Sequence, residues 1–80
     1  MKKLEIENNL TKIFRELFSN TSIIISDDLT ANDVDGWDSL THMLLIVEIE
    51  SFFSIKFKLK DLNKMKNVGE LIKIIQTKIN

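Results

Sequence analysis

The sequence has no cysteine, no proline, only two glycines and a single arginine. Without cysteine, neither a disulfide nor a thiolate metal site can form. Stability must then come from packing, which suits a reducing compartment. Without proline, and with Gly36 and Gly69 as the only breakers, the chain favours helix. No charge of one sign dominates: 11 basic and 12 acidic residues leave a net charge of −1. A nucleic-acid binder would show a basic excess on one face, so that class is set aside. Long apolar runs are missing as well. The uncharged stretch in the middle, Ser39 to Val47, is too short to span a bilayer. Met1-Lys2-Lys3 is followed by Leu4-Glu5-Ile6-Glu7-Asn8-Asn9, which is no apolar core of signal-peptide length. The expectation is a soluble, cytoplasmic monomer with no membrane insertion.

Eighty residues make one domain, 1–80, with a modest core and little room for a deep active-site cavity. Basic residues gather toward the two ends. Asp27, Asp28, Asp33, Asp35 and Asp38 occupy the middle, with no Lys or Arg between Arg15 and Lys56. This layout suits a basic partner docking near the middle, although Asp is also common in loops and caps. Ten lysines against one arginine, with abundant Ile and Asn, point to an AT-rich bacterial genome.

Helical periodicity appears three times. Ile6, Leu10, Ile13, Phe14 and Leu17 share one face of a helix over Leu4–Phe18, which Ser19-Asn20-Thr21-Ser22 ends. A long connection runs from Ser19 to Asp38. Within it, Ile23-Ile24-Ile25 reads as an extended piece on the core, because no second β-rich run exists to pair with it. Connections this long are often functional. A second helix starts near Ser39, with Asp38 as its N-cap. Its apolar residues Leu40, Met43, Leu44, Ile46, Val47, Ile49 and Phe53 cover more than one buried stripe requires, so part of them must face something other than the core. Ile55, Phe57 and Leu59 lie in the next connection, and Asp61–Met65 reads as a short helical turn. Val68, Leu71, Ile72, Ile75 and Ile79 define a last helix. The predicted fold is all-α: a four-helix bundle, three long helices plus one short, with a long loop between helices one and two.

Ser39 is the residue to weigh. Helix N-termini present unpaired N–H groups and partial positive charge, which suits a phosphate on its hydroxyl. Asp35 and Asp38 beside it would help hold a divalent cation or attract a basic partner. On local physics alone, Asp38-Ser39 is an ordinary helix cap. The wider pattern changes that. Asp35-Gly36-Trp37-Asp38-Ser39-Leu40 resembles the phosphopantetheine attachment motif of the acyl carrier protein family, in which Asp-Ser-Leu opens the second helix after a long loop. The resemblance spans nearly the whole chain, through Glu48-Ile49-Glu50-Ser51-Phe52-Phe53 and Asn67-Val68-Gly69-Glu70-Leu71.

The resemblance implies a carrier that is a substrate of enzymes and not one itself. Ser39 would be esterified by 4′-phosphopantetheine, with coenzyme A as donor and a phosphopantetheinyl transferase as catalyst. The arm's thiol would hold the cargo as a thioester, delivered between an acyl-loading ligase or synthase and an acyl-accepting transferase. Asp38 would be read by the transferase, and Leu40 would serve partly in docking. Asp35, Trp37, Met43, Leu44 and Glu48 are the further docking candidates. Carriers of ordinary fatty-acid synthesis bear acids just after the serine. Here Thr41, His42, Met43 and Leu44 stand there, so docking is expected to be partly apolar and the pathway a specialised lipid, saccharide-modifying or secondary-metabolite one.

Other readings compete. His42 follows Ser39 by three residues, yet no glycine-rich elbow or oxyanion site supports a hydrolase, and a solvent-facing or partner-contacting histidine is expected. A calcium loop with Gly36 in sixth position would need Ala31 as its first ligand, and the pattern fails. Trp37 reads as packing the loop onto the bundle, so Trp37→Ala should cost on the order of 3 kcal/mol if the ring is buried. Met43, Phe52, Phe53 and Met65 read as core or cleft lining. An aminoacyl or peptidyl carrier would differ in being loaded by an adenylating enzyme. An unmodified helical interaction module would keep its function in a Ser39→Ala variant.

Overall fold

The computed structural model describes residues 1–79. Four helices follow one another: α1 (Lys3–Leu17), α2 (Ser39–Phe53), α3 (Leu59–Leu62) and α4 (Val68–Ile79), with a 3₁₀ turn at Ala31–Asp33 in the first loop. This is the expected all-α bundle of three long helices and one short. Among the described residues no strand forms, and no helix is long and apolar enough to cross a membrane.

α1 buries Ile6, Leu10, Ile13 and Phe14, the face its periodicity marks. Its first turn is closed by Glu5, whose carboxylate accepts from the Lys2 amide at 3.1 Å. Its end carries Ser19 at φ 50°, with Asn20 N–H donating to Arg15 C=O at 3.0 Å, a Schellman closure. α2 is apolar on every side, yet only Leu45, Ile46, Ile49 and Phe53 are buried. Val68, Leu71, Ile72, Ile74 and Ile75 of α4 complete the core. α3 begins two residues earlier than the sequence pattern indicates. Asp61 explains the shift: its carboxylate accepts from the Lys58 amide at 2.8 Å, closing the first turn, and pairs with Lys78 at 2.9 Å, tying the short helix to α4.

The long loop lies on the bundle as an extended chain. Ile23 is buried, Ile25 half-buried and Ile24 exposed, the alternation of a strand-like segment without a partner strand. Arg15 Nε donates to Ile23 C=O at 2.9 Å. The loop also caps α4. Val68 N–H donates to Leu29 C=O and Gly69 N–H to Asp27 C=O, both at 2.9 Å, and Asn67 Oδ1 accepts from Glu70 N–H at 2.9 Å. The orphan amides that open α4 are thereby satisfied, two of them by loop carbonyls.

Gly69 is required by this approach. A Cβ there would lie 3.0 Å from the Asp27 carbonyl oxygen and 3.2 Å from its Cα. Gly69→Ala must push the loop off α4 and strain both bonds, which outweighs the better helix propensity of alanine. The expected loss is about 1–2 kcal/mol in a denaturant titration, within the usual range for overpacking. An unchanged midpoint would mean that the loop yields freely.

Candidate functional site

The segment before α2 is built as a tight knot. Gly36 takes φ +87°, a left-handed conformation, and turns the chain so that Trp37 faces inward. Asp38 and Thr41 then bond reciprocally: Thr41 N–H donates to Asp38 Oδ1 at 2.9 Å, and Asp38 N–H donates to Thr41 Oγ1 at 2.8 Å. The Thr41 hydroxyl donates back to Gly36 C=O at 2.6 Å. Asp38 is the N-cap that its sequence position indicates. The Thr41 amide and hydroxyl hold its carboxyl below the usual value.

Trp37 is half-buried, and its ring lies edge-on to Phe14 at 5.2 Å and tilted against Phe18 at 5.9 Å. It fastens the loop to α1, as a packing tryptophan should. Its Nε1–H donates to His42 Nδ1 at 3.1 Å, and the two rings lie side by side with 18° between their planes and their centroids 6.0 Å apart. His42 thus meets the first of its two expectations, solvent-facing or partner-contacting, only in part. It is half-buried against the indole, and among the described contacts no hydrogen bond joins it to Ser39. A hydrolase dyad has no geometric support here. The Trp37–His42 pair escapes sequence reading because Trp37 lies in irregular backbone, where no periodicity relates it to a helical residue.

Ser39 is exposed in the first turn of α2, and among the described residues its hydroxyl has no hydrogen-bond partner. It stands at a cleft of about 370 Å³ lined also by Ala31, Trp37, His42, Met65, Lys66 and Leu71. That volume is at the lower end for small-molecule sites. The floor is apolar, while His42, Lys66 and Asn67 supply polar groups. A flexible amide-bearing chain with a phosphate at its Ser39 end fits this set. A helix N-terminus favours a phosphate, and Lys66 lines the same cleft.

The remaining candidates are dispersed. Leu40, Met43, Leu44 and Val47 are 71%, 52%, 47% and 57% exposed, a stripe running down the outer face of α2. Asp35 is exposed on the loop. Glu48 turns toward α1, lining a second groove of about 230 Å³ with Ile13, Glu16 and Leu17. Of the residues read as core or cleft lining, Phe53 is buried and Met65 lines the cleft, but Met43 and Phe52 lie at the surface, 52% and 53% exposed. Tertiary packing chose Leu45 and Ile46 for the interior in their place. Among the described residues no three acidic or histidine side chains gather as a metal site.

Burial lowers the pKa of His42 from its ordinary value of 6.5. Between the lowered value and 6.5 the unfolded chain binds more protons, so stability is full above about pH 6.5 and falls as pH drops through that window. Protonation also turns Nδ1 into a donor and breaks the bond from Trp37. The charged groups sharing the cleft, Asp38 and Lys66, are of opposite sign. Asp38 and Asp61 are lowered from 3.8, so their contribution persists down to that pH and is lost only below it. The melting temperature should therefore decline in two stages on acidification. The first stage, setting in as pH falls below about 6.5, should be absent in His42→Phe. The chain has one tryptophan and one histidine, so Trp37 fluorescence should titrate with the same midpoint. A wild-type melting temperature that stays flat over this range contradicts the prediction.

No family model matches the chain. No curated protein matches it either. Among solved structures it is similar to a holo acyl carrier protein from Geobacter metallireducens, determined by NMR in solution. The two are 47% identical and superpose with a TM-score of 0.86, over 90% of this chain and 83% of the other.

Proposed function

The chain belongs to the acyl carrier protein family, and from that premise we propose that it carries its acyl group on a 4′-phosphopantetheine arm esterified to Ser39. It is a carrier and not an enzyme. The observation that carries the assignment is the exposed Ser39 hydroxyl, without a hydrogen-bond partner among the described residues, at a cleft and in the first turn of a helix, where a phosphate is favoured. When bound, the arm supplies the thiol for thioester carriage, a group that this cysteine-free chain lacks. Ser39 is the attachment point, held at the surface by the Asp38–Thr41 knot. Asp38 marks the position beside it for the transferase. Lys66 opposes the phosphate charge, and the cleft between α2 and α4 shelters the arm. Residues 1–80 act as one carrier domain, a cytoplasmic monomer working where coenzyme A is available.

The test is intact mass after incubation with coenzyme A, Mg²⁺ and a broad-specificity phosphopantetheinyl transferase. The expected result is a gain of one phosphopantetheine. No gain with several transferases would leave an unmodified interaction module as the better account.

Leu40, Met43, Leu44 and Val47 form the docking face, with Glu48 at its edge toward α1 and Asp35 and Trp37 beyond the N-terminus of α2. The face carries no acid just after Ser39 along α2, where Thr41, His42, Met43 and Leu44 stand, so partner choice rests on apolar contact with a loading ligase or synthase and an accepting transferase of a specialised pathway. Salt screens charge pairs and leaves apolar contacts nearly untouched. Affinity for the cognate loading enzyme should therefore change little from low to high salt in calorimetry. A steep loss with salt would make charge the main determinant.

A further inference from the structure

The Trp37–His42 pair does more than hold the loop. Trp37 Nε1–H can only donate, so His42 Nδ1 must be the acceptor and the neutral ring must carry its proton on Nε2. The near-parallel indole also fixes the plane of the imidazole. Among the described residues Nε2 has no hydrogen-bond partner, yet no buried side-chain nitrogen is left unsatisfied. Nε2–H is therefore accessible. His42 lies one turn along α2 from Ser39, and both line the same cleft. The polar groups there are few, and this one is a donor whose tautomer and ring plane are both set in advance.

We propose that His42 is a binding residue for the arm on Ser39: Trp37 fixes its tautomer, and its Nε2–H donates to an amide carbonyl of the arm, laying it along the cleft toward Met65 and Leu71. This rests on the reading of Ser39 as the attachment point. An arm seated on this donor is held against an apolar floor, and one without it extends into solvent. The lowered pKa of His42 keeps the ring neutral at neutral pH, so the bond from Trp37 and the bond to the arm exist together. Preorganised donors of this kind cost little ordering when the ligand arrives.

The test uses the loaded protein, isotope-labelled in the chain and unlabelled in the arm. Isotope-filtered NMR should show cross-peaks from arm protons to the His42 and Trp37 rings. Long-range nitrogen spectra should place the ring proton on Nε2, and its exchange with solvent should slow on loading. His42→Phe keeps a ring but has no donor, and once loaded, as mass shows, it should lose the cross-peaks to Trp37. Trp37→Phe keeps a packing ring but no donor. It should let the ring proton redistribute between the two nitrogens and exchange faster. A wild type that gains the arm yet shows no cross-peaks overturns the His42 contact alone. Cross-peaks that persist in His42→Phe overturn it too. A wild type that never gains the arm overturns both this inference and the attachment reading.

Discussion

Ser39→Ala is expected to abolish loading completely and to leave stability unchanged within about 0.5 kcal/mol, the range for surface substitutions away from special features. The two halves of this prediction rest on separate observations. The hydroxyl is exposed and has no hydrogen-bond partner among the described residues, so the fold does not use it. Capping of α2 is done by Asp38, which keeps its bond to Thr41 N–H in the variant. Alanine is a good helix former at this position. What is lost is the one oxygen to which the arm attaches. Intact mass should show no gain under conditions that load the wild type, and thermal melts of the two should overlay. A gain in the variant would move the attachment to another hydroxyl. Asp38→Ala makes the contrasting case: it keeps the hydroxyl but removes the cap, at a cost of about 1 kcal/mol.

Phe14→Ala is expected to be the most damaging change to the fold. The ring is fully buried and contacts Phe18 at 5.8 Å and Trp37 at 5.2 Å. Removing it costs about 3–5 kcal/mol by transfer and cavity terms together. A domain of this size holds roughly 4–12 kcal/mol in all, so the variant keeps a small margin or none. The effect reaches the site, because Phe14 is the surface on which Trp37 rests and Trp37 in turn holds His42. Denaturant titration should show the loss, and the native Trp37 emission should move toward that of a solvated indole. Trp37→Ala should cost less than the roughly 3 kcal/mol of a fully buried ring, because the indole is only half-buried. A Phe14→Ala midpoint within 1 kcal/mol of the wild type, taken as about the mean effect of any substitution, would mean that the core closes over the gap.

Much of the site is legible without coordinates because its parts are local. The Asp38 cap, the start of α2 at Ser39 and the extended Ile23–Ile25 segment all follow from neighbouring residues and their spacing. The excess of apolar residues on α2 likewise announces a face left uncovered. Less legible was which apolar residues make up that face. Met43 and Phe52 sit at the surface while Leu45 and Ile46 are inside, and no periodicity could choose between them on a helix apolar all round. The bond from Trp37 to His42 was illegible for a related reason: Trp37 lies outside any repeating structure.

The sequence by itself determined the helical class, the order of the long helices and the capped serine at the start of α2. These depend on interactions within a few residues, such as backbone preference, caps and the spacing of apolar side chains. Only the tertiary structure decided which side of α2 is buried and how the loop carbonyls of Asp27 and Leu29 close α4. It also decided that Trp37, braced by Phe14, would turn His42 toward the cleft. Those outcomes depend on contacts between segments far apart in the chain, where burial and hydrogen-bond satisfaction are settled for the whole bundle at once.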